Sequence, residues 1–500
     1  MADTLHRAHS TSVSSSSPSP EGLPAVEKDG AIVGVLPDGP DDLPPADDDR
    51  SGQGRAKQDV PLRWKLLSIV LVTAIGFGSQ WSSGITGAMK STLKKELDIN
   101  NTQFSLLEAS EDFMTTALML LSGVVTDRIG GAGAMLYGNI IYSVGSILVA
   151  GAAQVRSYKF MVAGRVIRSL GDVATQVAQY KVFSSWFAPN HGFASTLGFE
   201  LGIGKIGAFV GKSSANIIAK NTGDFAWVFW VAVFMNLVTN VMTGVFYWFT
   251  KIANRKFRAS RDPATGERLS EKNKKFELRK VVELPWAFWC IQAFSLFETS
   301  TAIVFLQNAT ELAEQRFSTS SITAGWYTAT LQYADHVSGT AASFGVFAIA
   351  FCLGPTTIID SIRTSMWHSS VFGSAYALKI TMNNAMNIIV RVITGVIQDR
   401  DNDLYDHVTI VYVILAGLSV AVSLLLVFLS WKSVELGNLQ WTRKQRLAKG
   451  AILNECRCRF YGENGARNKR ISTICFGSCV LLVLGSWAAY FWGVATGNNG

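Results

Sequence analysis

The sequence predicts an all-α polytopic membrane protein, and three observations carry that reading. Of 500 residues, 48% are hydrophobic and only 16% are charged, with a mean hydropathy of +0.23. Apolar runs of the roughly 20 residues that cross a bilayer recur along most of the chain. Polar residues inside one such run, Phe160–Phe187, fall at steps of three and four, which is one face of a helix. Helices are expected because each backbone polar group in hydrocarbon needs a partner within its own segment.

The net charge of +8 belongs to loops and gives no reason to expect a nucleic-acid partner. No apolar run follows Met1, so no cleavable signal peptide is expected. Of six cysteines, Cys290, Cys352, Cys475 and Cys479 lie in apolar segments, and Cys456 and Cys458 in a basic stretch, so no disulfide framework is expected.

Residues 1–61 are rich in Ser, Pro, Gly and Asp and are read as a disordered cytoplasmic tail. Six spans follow within 62–250: Trp64–Met89, Phe104–Val125, Ala134–Val155, Phe160–Ser184, Gly192–Ala219 and Asp224–Thr250. The second carries Glu108, Glu111 and Asp112 at its start. The fifth carries Gly198, Gly202, Gly207 and Gly211, whose spacing lets a neighbouring helix approach. Residues 251–283 form a Lys/Arg-dense loop, cytoplasmic by the positive-inside rule. The loop after the second span is then cytoplasmic too.

That loop reads Gly123-Val-Val-Thr-Asp127-Arg128-Ile-Gly130. It resembles the signature loop of the major facilitator superfamily, and Gly164-Arg165 with Gly171 resembles the superfamily's fourth-span motif. Gly131-Ala-Gly departs from the basic pair usual after that loop. The resemblance implies a fold of two six-helix halves that rock about a central site, with Gly123, Asp127, Arg128 and Gly130 as a conformational latch. More narrowly, Arg63 to Trp431 resembles the lysosomal dipeptide transporter group of that superfamily. This rests on the run Gly171–Gln179, Ser185–Phe187, Gly204-Lys205-Ile-Gly207 and the asparagine-bearing run Gly373–Arg391. It implies uniport of dipeptides, cationic ones preferred, out of a lysosome or vacuole. An accessory glycoprotein subunit and the lipid bilayer are expected partners.

The second half, 284–431, counts unevenly: Leu284–Gln307, the short Thr319–Tyr333, then Ala341–Ile359, Gly373–Ile397 and Val408–Trp431. The basic stretch 432–470 is expected to be a cytoplasmic loop, and Ile471–Val494 an extra helix outside the core fold. Sidedness then requires an even number of spans between Gln307 and Ala341, where only one truncated segment stands. The half is therefore expected to be incomplete near 335–340, lacking about one span, the ninth, and to transport weakly or not at all as written. On this topology Gly395–Arg400, an echo of the signature loop, lies on the luminal side.

Arg165, Arg168, Asp172, Gln176 and Gln179 share one helix face and are read as lining a cavity, the alternative being ion pairs that pin helix to helix. Asp172 and Lys205, at similar depth, are candidates for the ammonium and carboxylate of a dipeptide; a direct ion pair between them is the other reading. Lys379, Asn383, Asn387 and Arg391 repeat at fours opposite, and Glu298 is a lone acid for cationic selectivity. Asn100 and Asn308 begin glycosylation sequons in expected luminal loops. No catalytic dyad, metal-ligand spacing or Walker motif appears, so no enzyme activity, metal or cofactor is expected. The first span holds no acid, so it lacks the paired-glutamate element of proton-coupled peptide carriers. A non-transporting receptor or scaffold, and a carrier of another small organic anion or zwitterion, are the alternative functions.

Overall fold

The computed structural model describes residues 60–187, 193–257, 283–330, 353–367, 371–462 and 464–497. The N-terminal tail, most of the 251–283 loop and the 335–340 region lie outside the described residues. The expected missing span therefore also lies outside them.

Six long helices and one short one make up the first half. They are α1 (Leu62–Ala88), the short α2 (Lys90–Leu97), α3 (Asn101–Ile129), α4 (Gly131–Gln154), α5 (Tyr158–Trp186), α6 (Phe193–Thr222) and α7 (Ala226–Lys256). In the second half, α8 (Trp286–Phe317) and α9 (Ser321–Thr330) precede α10, residues 353–365. Then come α11 (Phe372–Arg400) and α12 (Asp406–Lys432). The stretch read as a loop at 432–470 instead holds short helices α13 (Val434–Gly437), α14 (Arg443–Ala448) and α15 (Gly450–Tyr461). A long helix, α16 (Gly465–Gly497), ends the described chain. By length and composition, α1, α4, α7, α8, most of α11, α12 and α16 can cross a membrane. Helices α3, α5 and α6 are as long but carry the charged residues that build the site below.

Local chemistry sets the boundaries. Asn100 caps α3 through a reciprocal box: its Oδ1 accepts from the Gln103 amide at 2.7 Å, and Gln103 Oε1 accepts from the Asn100 amide at 3.1 Å. Between α3 and α4 the chain turns at one residue, Gly130, with φ of 94°, a conformation that favours glycine. Of the fifth-span glycines, Gly204, Gly207 and Gly211 lie close against α1; a Cβ on Gly211 would run into the Trp81 carbonyl. Gly202 has nothing near it.

Inside the first half, α4 lies on α5 and α7. Polar rungs join it to α7: Asn139 to Thr243 at 2.6 Å, Asn240 to Ser143 at 2.8 Å and Asn236 to Ser146 at 2.9 Å. The halves meet along two seams, α3 on α11 and α6 on α9. The extra helix α16 runs along α11 and also reaches α3 and α8, so it is packed onto the bundle. Its buried residues Ser472, Cys479, Ser486 and Gly493 recur every seventh position, which lets it lie close along its whole length. By contrast α12 buries only Val408, Tyr412 and Leu415.

Candidate functional site

The polar stripe of α5 divides into two parts. At its start, Arg165 is fully buried, pairs with Glu108 of α3 and donates to Thr86 Oγ1 of α1 at 2.8 Å. One turn on, Arg168 pairs with Glu111 of α3 and lies over the Tyr142 ring. Both arginines therefore pin α5 to α3 in this conformation. The network extends into the second half: Arg391 of α11 lies 3.2 Å from Glu108 and 3.1 Å from Asp112. Three acids on α3 thus face three arginines, so the charges balance, as a buried set requires.

Farther along α5, Asp172 accepts from Gln176 Nε2 at 2.7 Å and lies within electrostatic reach of Glu111 and Arg168. Gln179 donates to Glu200 of α6 at 2.9 Å. Lys205, one turn beyond Glu200, is within reach of Glu200 and of Glu298 on α8. Glu298 in turn faces Lys379 of α11 and accepts from Thr299 at 3.0 Å. The structure thus brings Glu200, Lys205, Glu298 and Lys379 into one electrostatic group drawn from both halves. Asp172 and Gln176 sit nearer the arginine network.

The asparagines of α11 act mostly as helix joints. Asn383 accepts from Gln292 Nε2 at 3.1 Å and donates to Ser295 at 2.9 Å, both on α8. Asn387 is buried beside Asp112. Gly123, Asp127 and Arg128 are not on a loop: they lie in the last turns of α3, and only Gly130 makes the turn. The two sequons differ in their surroundings. Asn308 is buried inside α8, donating to Tyr412 at 2.8 Å and accepting from Lys90 at 2.8 Å, because the sequon pattern carries no information on burial. Asn100, half-buried between α2 and α3, caps α3 through its Oδ1.

Four acids of this network, Glu108, Glu111, Asp112 and Glu200, escaped assignment. Glu200 stands alone in an apolar run, and only the fold sets it opposite Gln179. Asp112 reads as part of a polar helix end until Arg391 arrives from the other half. No cluster able to hold a metal occurs among the described residues. A cavity between α8, α10 and α12, lined by Phe294, Thr357, Ser361, Ser423 and Leu436, is largely apolar and apart from this polar path.

Of the two seams between the helical halves, the one between α3 and α11 carries paired charges, Arg391 with Glu108 and Asp112. A sequence profile of the Major Facilitator Superfamily matches residues 70–442. The chain belongs to the Major Facilitator Superfamily. It is accordingly an integral membrane protein of a transporter family. Among solved structures, a D-xylose–proton symporter covers 72% of this chain and 96% of its own, with a TM-score of 0.52 at 14% identity. A proton:xylose symporter bound to 6-bromo-6-deoxy-D-glucose covers 76% and 99%, with a TM-score of 0.54 at 14% identity. At that identity the likeness shows the fold alone. Among curated proteins, the lysosomal dipeptide transporter MFSD1 of Homo sapiens is 28% identical over 30% of this chain and 32% of its own length. The Mus musculus protein of that name is also 28% identical over 30% and 32%, and the Danio rerio one 25% identical over 29% and 32%. The match spans about a third of the length of these relatives.

Proposed function

We propose that this member of the superfamily carries dipeptides by alternating access, as a uniporter from the lumen of a lysosome or vacuole to the cytosol. The observation that carries the reading is the mixed-charge group between the halves, Glu200 and Lys205 from the first and Glu298 and Lys379 from the second, with Asp172 standing between it and the arginine network. A dipeptide has an ammonium and a carboxylate a few ångströms apart. Held by its termini on the first half, it meets the charged groups of the second half only when the halves approach, which couples binding to closure. In this reading Asp172 holds the ammonium and Lys205 the carboxylate, with Gln176 orienting Asp172. Glu298 and Lys379 then receive side chains, and the acidic Glu298 favours cationic ones. The similarity to MFSD1 proteins, which are lysosomal dipeptide transporters, supports the substrate class. In this reading the end of the bundle holding Lys90 is the luminal one, and the end of α3 with Asp127 and Arg128, beside the Gly130 turn, is the cytoplasmic latch.

Uptake of a labelled dipeptide into liposomes holding the full chain tests this. Saturable uptake that needs no pH gradient is expected. Binding without uptake would instead identify a receptor, and uptake only with a gradient would overturn uniport.

A further inference from the structure

Helix α16 lies beyond residues 70–442, the part of the chain that the superfamily profile matches, and carries none of the central charged group. Its start is tied to the second half. Pro285 at the N-cap of α8 offers no side-chain acceptor, so the first amides of α8 need one from elsewhere. Asn468 of α16 supplies it. Its Oδ1 accepts from the Trp286 amide at 3.2 Å, and its Nδ2 donates to the Leu284 carbonyl at 3.4 Å. One turn on, Ser472, fully buried, accepts from Trp289 Nε1 at 3.1 Å. The segment leading into α16 is held to the same half: Leu436 is buried where α13 folds back on α12, and the Phe460 ring lies 6.1 Å from that of Trp367.

Toward its other end α16 grips the first half. Trp487 Nε1 donates to Thr116 Oγ1 of α3 at 2.9 Å. Phe113 of α3 stacks on Tyr490 with ring centroids 4.9 Å apart, and meets Trp487 and Phe491 at 5.4 Å and 5.8 Å. Two glycines then bring the α16 backbone onto the seam between α3 and α11. A Cβ on Gly493 would stand 3.0 Å from Val392 of α11 and 3.1 Å from Leu106 of α3, so this one residue touches both halves. Gly497, four positions on, lies against Thr102, and its carbonyl accepts from Asn100 Nδ2 at 3.4 Å. Small residues four apart allow helices this close an approach within a bilayer. At the same end of the seam Lys90 lies 2.8 Å from Glu311, and Asp399 of α11 accepts from the amides of Asn101 and Thr102, each at 2.9 Å. The two attachments of α16 differ in kind. Those to α8 are directional bonds that complete a helix end, and in hydrocarbon no water replaces them. Those to α3 are mostly ring and backbone contacts, which are non-directional and can slide. A motion that parts α3 from α11 at this end must draw α3 off Trp487 and Tyr490.

We propose that α16 is a strap: it rides with the second half, lies over the α3–α11 seam, and limits how far that seam parts at the Gly493 end by gripping α3 through Trp487 and Tyr490. The proposal rests on the alternating-access motion of the two halves and on no particular substrate.

Pulsed dipolar spectroscopy on the full chain in nanodiscs tests it, with native cysteines replaced. Spin labels go, two at a time, at Asn221→Cys in the first half, Leu404→Cys in the second and Thr496→Cys on α16, all exposed positions. Trp487→Leu and Tyr490→Leu should each raise the fraction of long Asn221–Leu404 and Asn221–Thr496 distances about fivefold, with the Leu404–Thr496 distance unmoved. Thr116→Val removes only the acceptor for Trp487 and should give a rise of about twofold in the same two pairs, which keeps the test open if the α16 variants fail to fold. Unchanged Asn221–Leu404 distances in the folded variants would overturn the strap, even if both Thr496 distances broaden, because α16 then packs without restraining the halves. A Thr496 label that stays with Asn221 while Leu404 moves away would overturn it too, since α16 would then ride with the first half. Because no transport is read, failure here leaves the dipeptide assignment standing, and the reverse also holds.

Discussion

The two ends of the bundle are closed in different ways. At the Lys90 end, buried lysines of the first half meet carboxylates of the second at fixed distances. At the opposite end, one apolar cluster runs across both halves, joining Val182, Phe183 and Trp186 to Phe288, Ile362, Phe372 and Tyr376. Tyr180 and Tyr376 face each other there with ring centroids 4.5 Å apart. Apolar contact is non-directional and tolerates sliding. Buried ion pairs hold in one geometry and fail when either member is lost. The ionic end therefore sets which conformation is held, and the apolar end can separate and reseal by degrees. Between them lies the mixed-charge group proposed to bind substrate.

That contrast can be broken by single substitutions. The largest effect is expected at the ionic end. Lys90→Met leaves Glu311 buried with Lys94 alone and should destabilise the closed arrangement by about 3–5 kcal/mol, read as a lowered melting temperature in detergent. Pairing it with Glu311→Leu should recover much of the loss, because both charges are then gone. A double variant as unstable as the sum of the two singles would show that they do not interact. Next comes Asp399→Asn, which keeps an acceptor over the α3 amides but removes the charge. A loss of about 1–2 kcal/mol is expected by the same measurement. The smallest effect is expected at the apolar end. Tyr180→Leu keeps an apolar side chain and loses one ring contact, about 0.5–1.5 kcal/mol. If Tyr180→Leu proves as damaging as Lys90→Met, the two ends are not built differently.

The helices were largely legible in the sequence because hydrophobic length and helical spacing are local properties. Phe104–Val125 and Val408–Trp431 fall inside α3 and α12 for that reason. What a charge does was less legible. Arg165 and Arg168 lie on the face their spacing indicates, but their partners Glu108 and Glu111 are 57 residues away, and their place at the start of a span does not reveal the pairing. Lys90 sits just beyond the first expected span, and its partners are between 218 and 315 residues distant. No local pattern marks such a lysine for burial. Asn308 misled for the complementary reason: three residues matched an acceptor pattern while α8 carried the asparagine into the core.

The central claim is that opposite charges between the two ends hold the two termini of a dipeptide. Competition against labelled dipeptide uptake tests it most directly, using an N-acetylated dipeptide and a dipeptide amide on wild type, Asp172→Asn, Lys205→Arg and Lys205→Ala. Wild type should reject both blocked peptides. Asp172→Asn should lose transport of the free dipeptide about 100-fold or more, since a buried ammonium is left without a counter-charge. Lys205→Arg, which keeps the positive charge, should transport better than Lys205→Ala. If blocked peptides compete as well as the free one in wild type, or if Asp172→Asn transports normally, the termini are held elsewhere and the assignment is wrong.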